Sequence, residues 1–207
     1  VEDLYRPYKQ KRRTKATVAK EKGLEPLALW LLSFPLHVSM EEKASEFISE
    51  DKEVNSIEEA LQGAKDIIAE MISDEASYRQ WIRDLTFKQG VITSSVKDEE
   101  KDERGVYSIY YEYEEPVGKI LPHRILALNR GEKEEVLKVS LKTPVDRIHT
   151  YLEKQIITKN NSPATSIVKE SIEDSYKRLI EPAIEREIRK ELTEKGLKTI
   201  MLERGRN

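Results

Sequence analysis

A mainly α fold, a helical bundle with helix-turn-helix-like elements, is predicted by three observations. Charged residues make up 36% of the 207-residue chain and hydrophobic ones 38%, with only eight glycines, a mix that suits long solvent-facing helices better than a β protein. Apolar residues recur at three- and four-residue steps over several stretches. Two Ser-x-x-Glu sequences stand directly before such stretches, where a helix start needs them. The departures from pure helix are a small β element near 135–142 and a long C-terminal helical arm broken near Pro182.

Taken in order, Ala16 to Lys22 reads as a short helix ended by Gly23, whose lack of a side chain suits the left-handed position past a helix end. Pro26 then fits the first turn of a new helix, where the missing amide is no loss. That second helix, around Leu27-Ala28-Leu29-Trp30-Leu31-Leu32, is apolar almost all round and is expected to be buried, Trp30 included. Ser39-Met40-Glu41-Glu42 and Ser56-Ile57-Glu58-Glu59 are both capping boxes. Behind the second, Ile57, Ala60, Leu61, Ala64, Ile67, Ile68, Met71 and Ile72 predict an amphipathic helix of about four turns. Asp74 is expected to cap the next helix, with Tyr78, Trp81, Ile82 and Leu85 on its inner face and a stop near Gly90.

Lys97 to Arg104 is a charge-rich break. It divides the chain into a helical N-terminal region with a basic segment, 1–96, and a region of tyrosines, a short strand and the helical arm, 105–207. Tyr107, Tyr110, Tyr111 and Tyr113 crowd into seven residues; base stacking is one reading, but Glu112, Glu114 and Glu115 would repel a nucleic-acid backbone, and a packing face is preferred. Pro122 opens a helix closing at Gly131, followed by a strand through Val136, Leu137, Val139 and Leu141; the alternative is a hairpin turning at Arg130-Gly131-Glu132. From Ser162-Pro163 to about Glu194 the pattern is helical, and Pro182, which cannot donate an amide, should kink or break it at Glu181. Charges four apart, such as Glu185 with Arg189 and Glu187, Glu191 and Lys195, read as a solvated face.

Several function classes are excluded by what the chain lacks. There is no cysteine, so disulfides and thiolate chemistry are absent and a reducing compartment fits. No apolar run approaches the ~20 residues needed to cross a bilayer, and the start does not read as a signal peptide; a soluble, cytoplasmic protein with no membrane partner is expected. The three histidines, at 37, 123 and 149, have no spacing that places two on one helical face, so no metal is expected. No GxSxG elbow, GxxxxGK[ST] loop or GxGxxG loop occurs. His123 is read as structural, for instance at a helix start. No cofactor and no enzymatic activity are expected of this chain.

Charge is sorted along the sequence, and one segment dominates. Between Arg6 and Lys22 eight Lys/Arg face a single acid, Glu21, a local +7 in a chain of net charge −3. By contrast 41–59 carries −6, 97–115 carries −5, and 177–206 returns to +3. Lys9, Lys11, Arg12, Arg13 and Lys15 can neutralise phosphates and release their counterions, while Tyr5 and Tyr8 offer flat faces for unpaired bases. These seven residues are the candidate nucleic-acid-binding set. The other reading is a basic tether docked on the protein's own acidic faces.

Three stretches in the right order carry a family resemblance. LYRPYKQKRRT followed by KEKGLEPLA is the first. Leu121-Pro122-His123-Arg124 with Ala127-Leu128-Asn129-Arg130-Gly131-Glu132 is the second, and Ser175-Tyr176-Lys177-Arg178-Leu179-Ile180 through Glu185-Arg186-Glu187-Ile188-Arg189 is the third. Together they resemble the Tex family of bacterial RNA-binding transcription accessory proteins. The resemblance implies part of that family's N-terminal helical region. Family members are expected to continue into an RNase-H-like domain, helix-hairpin-helix elements and a C-terminal RNA-binding β-barrel. None of these is recognisable here, so the chain reads as a piece of such a protein, in keeping with a first residue that is not Met.

Two functions follow as expectations. The first is a nucleic-acid-binding helical module whose partner is an RNA or DNA backbone. The second is a non-catalytic scaffold that positions the C-terminal domains of the same protein or docks on transcription machinery. A hydrolase reading survives only through the implied RNase-H-like neighbour.

Overall fold

The computed structural model describes residues 13–206. The chain forms two compact units, each built from two segments: 1–76 with 149–180, and 77–148 with 181–207. The mainly α expectation holds, with nine α-helices among the described residues and one three-stranded sheet.

The first unit contains α1 (Lys15–Glu21), α2 (Glu25–Leu32), α3 (Met40–Ser45) and α4 (Ile57–Asp74), later joined by α8 (Thr165–Asp174) and a π-helical segment, Ser175–Ile180. Helix α4 is its axis: α1, α2, α3, α8 and the π segment all pack on it. The predicted stripe is the buried one, with Ala60, Ala64, Ile67 and Ile68 fully enclosed, although Met71 is 42% exposed. Leu24, Leu27, Leu31, Phe34, Val168, Ile172 and Tyr176 fill the space around it. Ser56 caps α4 as expected, accepting from the Glu59 amide at 3.1 Å, and the Glu59 carboxylate reaches back to the Asn55 amide at 2.8 Å. Ser39 caps α3 through the Glu42 amide, but its hydroxyl meets the Glu41 carboxylate rather than that of Glu42.

Helix α2 departs from the expectation of full burial. Leu27, Ala28 and Leu31 face inward, whereas Leu29 is 52% exposed and Trp30 is half-buried beside the Lys43 ammonium, 5.7 Å from its ring centre. Eight residues make barely two turns, too few to be surrounded on every side. Asp74 does not cap the next helix either. It ends α4, and Glu75, in extended backbone, separates it from α5 (Ala76–Gln89).

The second unit carries α5, β1 (Val91–Val96), β2 (Glu112–Pro116), α6 (Pro122–Lys133), β3 (Leu137–Lys142) and α9 (Glu181–Gly205); α7 (Val145–Ile156) spans the 148/149 division. The strands form an antiparallel sheet in the order β2-β1-β3, with Ile92 opposite Glu115 and Leu141 and Ser94 opposite Tyr113 and Val139. The 122–142 stretch is therefore helix then strand, not a hairpin, and α6 runs through Gly131 to Lys133. That glycine is needed because α6 lies close over β3: a Cβ there would stand 2.4 Å from Leu137 Cδ1. The helical arm is broken as expected. The π-helical segment Ser175–Ile180 interrupts the α-helical pattern just before Pro182, and α9 runs on from Glu181. The charge-rich stretch 97–104 lies within the second unit.

Candidate nucleic-acid interface

The positive tract leads directly into α1, and a reciprocal threonine cap fixes that junction. Thr14 Oγ1 accepts from the Thr17 amide at 3.0 Å, while the Thr14 amide donates to Thr17 Oγ1 at 2.7 Å. Helix α1 is then held by its small residues, Ala16 and Ala19, against α4. The approach depends on Gly63, where a Cβ would lie 2.3 Å from Leu24 Cδ1 and 3.3 Å from Ala19 Cβ. Gly23, at φ 77°, ends the helix as expected.

Of the seven sequence-predicted residues, Tyr5, Tyr8, Lys9, Lys11 and Arg12 lie outside the described residues. Arg13 and Lys15 are both exposed. Arg13 Nη2 meets Glu21 Oε2 at 2.9 Å, with the two side chains 70% and 58% exposed. Such a solvent-facing pair is worth well under 1 kcal/mol and is readily exchanged for another anion. Among the described residues Lys15 and Lys20 make no ion pair, and both are exposed. Lys15 and Lys22 also form one rim of a shallow groove of about 200 Å³, whose other rim holds Glu59 and Asp66. Those two acids already accept from the Asn55 amide and the Gln62 side chain. Chemically, the arrangement is an exposed cationic edge beside acids that have local partners.

The four tyrosines are a packing face. Tyr107 and Tyr110 are each 5% exposed, and the hydroxyls of three are occupied. Tyr107 donates to Glu134 at 2.7 Å, Tyr111 to Asp102 at 2.7 Å, and Tyr113 to Glu115, with Arg124 bridging the last pair. Burial, with the Glu134 contact, pushes Tyr107 up to about 12, and the Asp102 hydrogen bond with burial does the same to Tyr111. Buried Tyr107 and Tyr110 offer no ring to a stacked base, and the hydroxyls of half-buried Tyr111 and Tyr113 are held by carboxylates. His123 sits exposed in the first turn of α6, and it is its neighbour Arg124 that makes contacts.

The charges on α9 depart from the expectation of helix-internal pairs on a solvated face. Arg189 instead forks onto Glu132 of α6, at 2.9 and 2.7 Å, and donates to Asn129 Oδ1 at 2.9 Å. Asn129 in turn donates to Thr193 Oγ1 at 2.8 Å. Glu187 and Glu191 meet Arg83 of α5, whose guanidinium lies 5.2 Å from the Phe87 ring centre; Glu191 with Lys195, at 3.6 Å, is a pair along the helix. A groove of about 650 Å³ runs beside this network, with Arg186 and Lys190 on its lip. Position four apart on one helix was a real signal, but a partner on another helix outcompeted it.

The second and third stretches of the sequence resemblance thus meet in space. Residues 37–201 match the family described as Tex central region-like, and the chain belongs to the Tex family. It is 61% identical over 197 residues to the uncharacterized protein YdcI of Bacillus subtilis, covering 95% of this chain and 27% of that protein. It is 36% identical over 164 residues to the transcriptional accessory protein Tex of Neisseria gonorrhoeae, covering 77% and 21%. It is also 30% identical over 222 residues to the S1 RNA-binding domain-containing protein 1 of Homo sapiens, covering 100% and 22%. The chain therefore spans about a quarter of the length of the curated relatives it matches. Among the described residues no helix is long and apolar enough to cross a membrane, and no three His, Asp or Glu side chains converge as a metal site requires.

Proposed function

We propose that this chain is a non-enzymatic helical module of a cytoplasmic transcription accessory protein, and that it contacts an RNA or DNA backbone through the tract from Arg6 to Lys22. The observation that carries the reading is the exposure of Arg13, Lys15 and Lys20, with Arg13 paired to a solvent-facing glutamate. Contacts of this kind are electrostatic and blind to base sequence. Support of a general kind comes from relatives named as a transcriptional accessory protein and as an S1 RNA-binding domain-containing protein. Fluorescence anisotropy with a single-stranded RNA oligonucleotide tests it. A tract meeting about five phosphates loses roughly 100-fold in affinity between about 50 and about 200 mM salt. The Lys9→Ala/Lys11→Ala/Arg12→Ala/Arg13→Ala chain should bind weakly at both. Equal, negligible binding by the two chains removes the reading.

A second reading, a scaffold for the other domains of a longer protein or for transcription machinery, is favoured by the Arg189–Glu132–Asn129 network. There the family-matching polar residues are spent on holding two helices together. A large fall in melting temperature in the fourfold alanine chain would mark the tract as structural and favour this reading.

A further inference from the structure

Residues 102–111 form a turn that is internally fastened yet displays apolar side chains to water. Asp102, 8% exposed, is the fastening. Its Oδ1 accepts from the Val106 amide at 2.9 Å; its Oδ2 accepts from the Tyr107 amide at 3.0 Å and from Tyr111 Oη at 2.7 Å. Gly105, at φ 65°, makes the reversal, and a 3₁₀ turn, Ser108–Tyr110, follows. Residues three apart eclipse one another in such a turn. Tyr107 and Tyr110 therefore share the inner side, each 5% exposed, while Val106 and Ile109 are 64% and 69% exposed. Val96, 41% exposed, joins them at the end of β1, where its amide donates to the Tyr111 carbonyl at 3.1 Å.

Two exposed aliphatic side chains on a turn that a buried carboxylate fastens are a preorganised contact, because the cost of ordering the loop is met before any partner arrives. The charges around them select the partner. Glu99, Glu100, Glu103 and Glu112 are all exposed, as are Lys97 and Arg104; Lys101 meets Glu135 at 2.7 Å, and the 97–115 stretch as a whole carries −5. Phosphate would be repelled here.

We propose that the 102–111 turn is a protein-docking knob: Val106 and Ile109 insert into an apolar cleft of a partner protein, and Lys or Arg side chains on the cleft's rim meet Glu99, Glu100 and Glu103. Complementary rims of this kind set specificity and speed association, while the apolar centre supplies affinity. The surface does not involve the basic tract, so it stands or falls separately from nucleic-acid binding.

The test places p-benzoyl-phenylalanine at Ser108, exposed between the two aliphatic residues, and irradiates living cells that express the chain. The expected result is one predominant protein adduct whose cross-linked peptide joins apolar residues to Lys or Arg. Affinity for that protein, once purified, should fall at least about tenfold in Val106→Ser/Ile109→Ser. It should also fall in Glu99→Lys/Glu103→Lys, and the melting temperature of either variant should match the parent, since the side chains changed already face water. Absence of an adduct overturns the proposal. So does an adduct to RNA or to a second copy of the chain, or a protein adduct whose affinity neither variant alters.

Discussion

Arg189 and Glu132, 57 residues apart, form a two-point ion pair that joins α9 to α6, with 2.9 and 2.7 Å contacts. The arginine side chain is 18% exposed and the glutamate 40%, so the pair is only partly screened by water. Asn129 sits one turn back on the same face of α6 and takes the remaining Nη2 proton. A flat guanidinium fits this site and a lysine ammonium does not.

Truncating either partner should therefore cost more than a surface charge does. Arg189→Ala is expected to lower unfolding free energy by about 2 kcal/mol, and Arg189→Lys by a large part of that. In a double-mutant cycle with Glu132→Ala, urea denaturation should return a coupling of about 1 kcal/mol. A coupling of zero would mean that the geometry contributes nothing.

Gly131 tests the packing one residue away. Its replacement by Ala gains about 1 kcal/mol of helix propensity. The new methyl, however, would lie 2.4 Å from Leu137 Cδ1, 2.8 Å from its Cγ and 3.2 Å from Tyr107 Cδ1, and Leu137 is only 1% exposed with nowhere to retreat. Overpacking of this kind costs about 1–3 kcal/mol. Net destabilisation of up to about 2 kcal/mol is expected by denaturant titration, against the propensity trend.

What was legible in the residues follows from range. Ala60, Ala64, Ile67 and Ile68 announce α4 because a buried stripe repeats within one helix, and Ser56 and Glu59 announce its start because a cap is local. Strands β1 and β2 were missed because neither carries the alternating apolar signal of a half-buried strand. Thr93, Ser94 and Ser95 fill the centre of one, and Glu112, Glu114 and Glu115 most of the other. Helix α7 did carry a signal, Val145, Ile148, Leu152 and Ile156 at helical steps after Pro144, that went unused. At the candidate interface, charge density alone singles out Arg13 and Lys15. It does not single out the Arg189–Glu132 pair, since two motifs on different helices reveal their meeting only once folded.

Asp102 and its tyrosines give the second unit a pH signature at both extremes. Burial alone would raise the Asp102 pKa, but hydrogen bonds from Tyr111 and from the Tyr107, Val106 and Gly105 backbone outweigh it and hold it below its ordinary 3.8. A carboxyl depressed on folding stabilises fully above its unfolded value and ceases to do so as pH falls through the folded one. Tyr107 and Tyr111, raised to about 12 from 10.0, behave in the opposite sense: their contribution is complete below pH 10 and is lost as pH climbs towards 12. Melting temperature against pH should drop below pH 4 less steeply in Asp102→Asn, from a lower plateau. Ultraviolet titration of the parent should show Tyr107 and Tyr111 among the tyrosines that ionise late.

Glu21 is the residue through which the nucleic-acid reading is most sharply exposed to failure. It is the only acid between Arg6 and Lys22, and it holds Arg13 at 2.9 Å on an open surface. Glu21→Gln removes that competitor and leaves the size of the side chain almost unchanged. Stability should stay within about 0.5 kcal/mol of the parent, as for most exposed pairs. If the tract meets phosphates, one more cation becomes available, so affinity for single-stranded RNA should rise severalfold at low salt, and the salt dependence should steepen by up to ~0.7 in log–log slope. If the tract is instead fastened to the protein's own acids, the substitution leaves RNA binding where it was. The anisotropy titration separates these outcomes without any change to the fold.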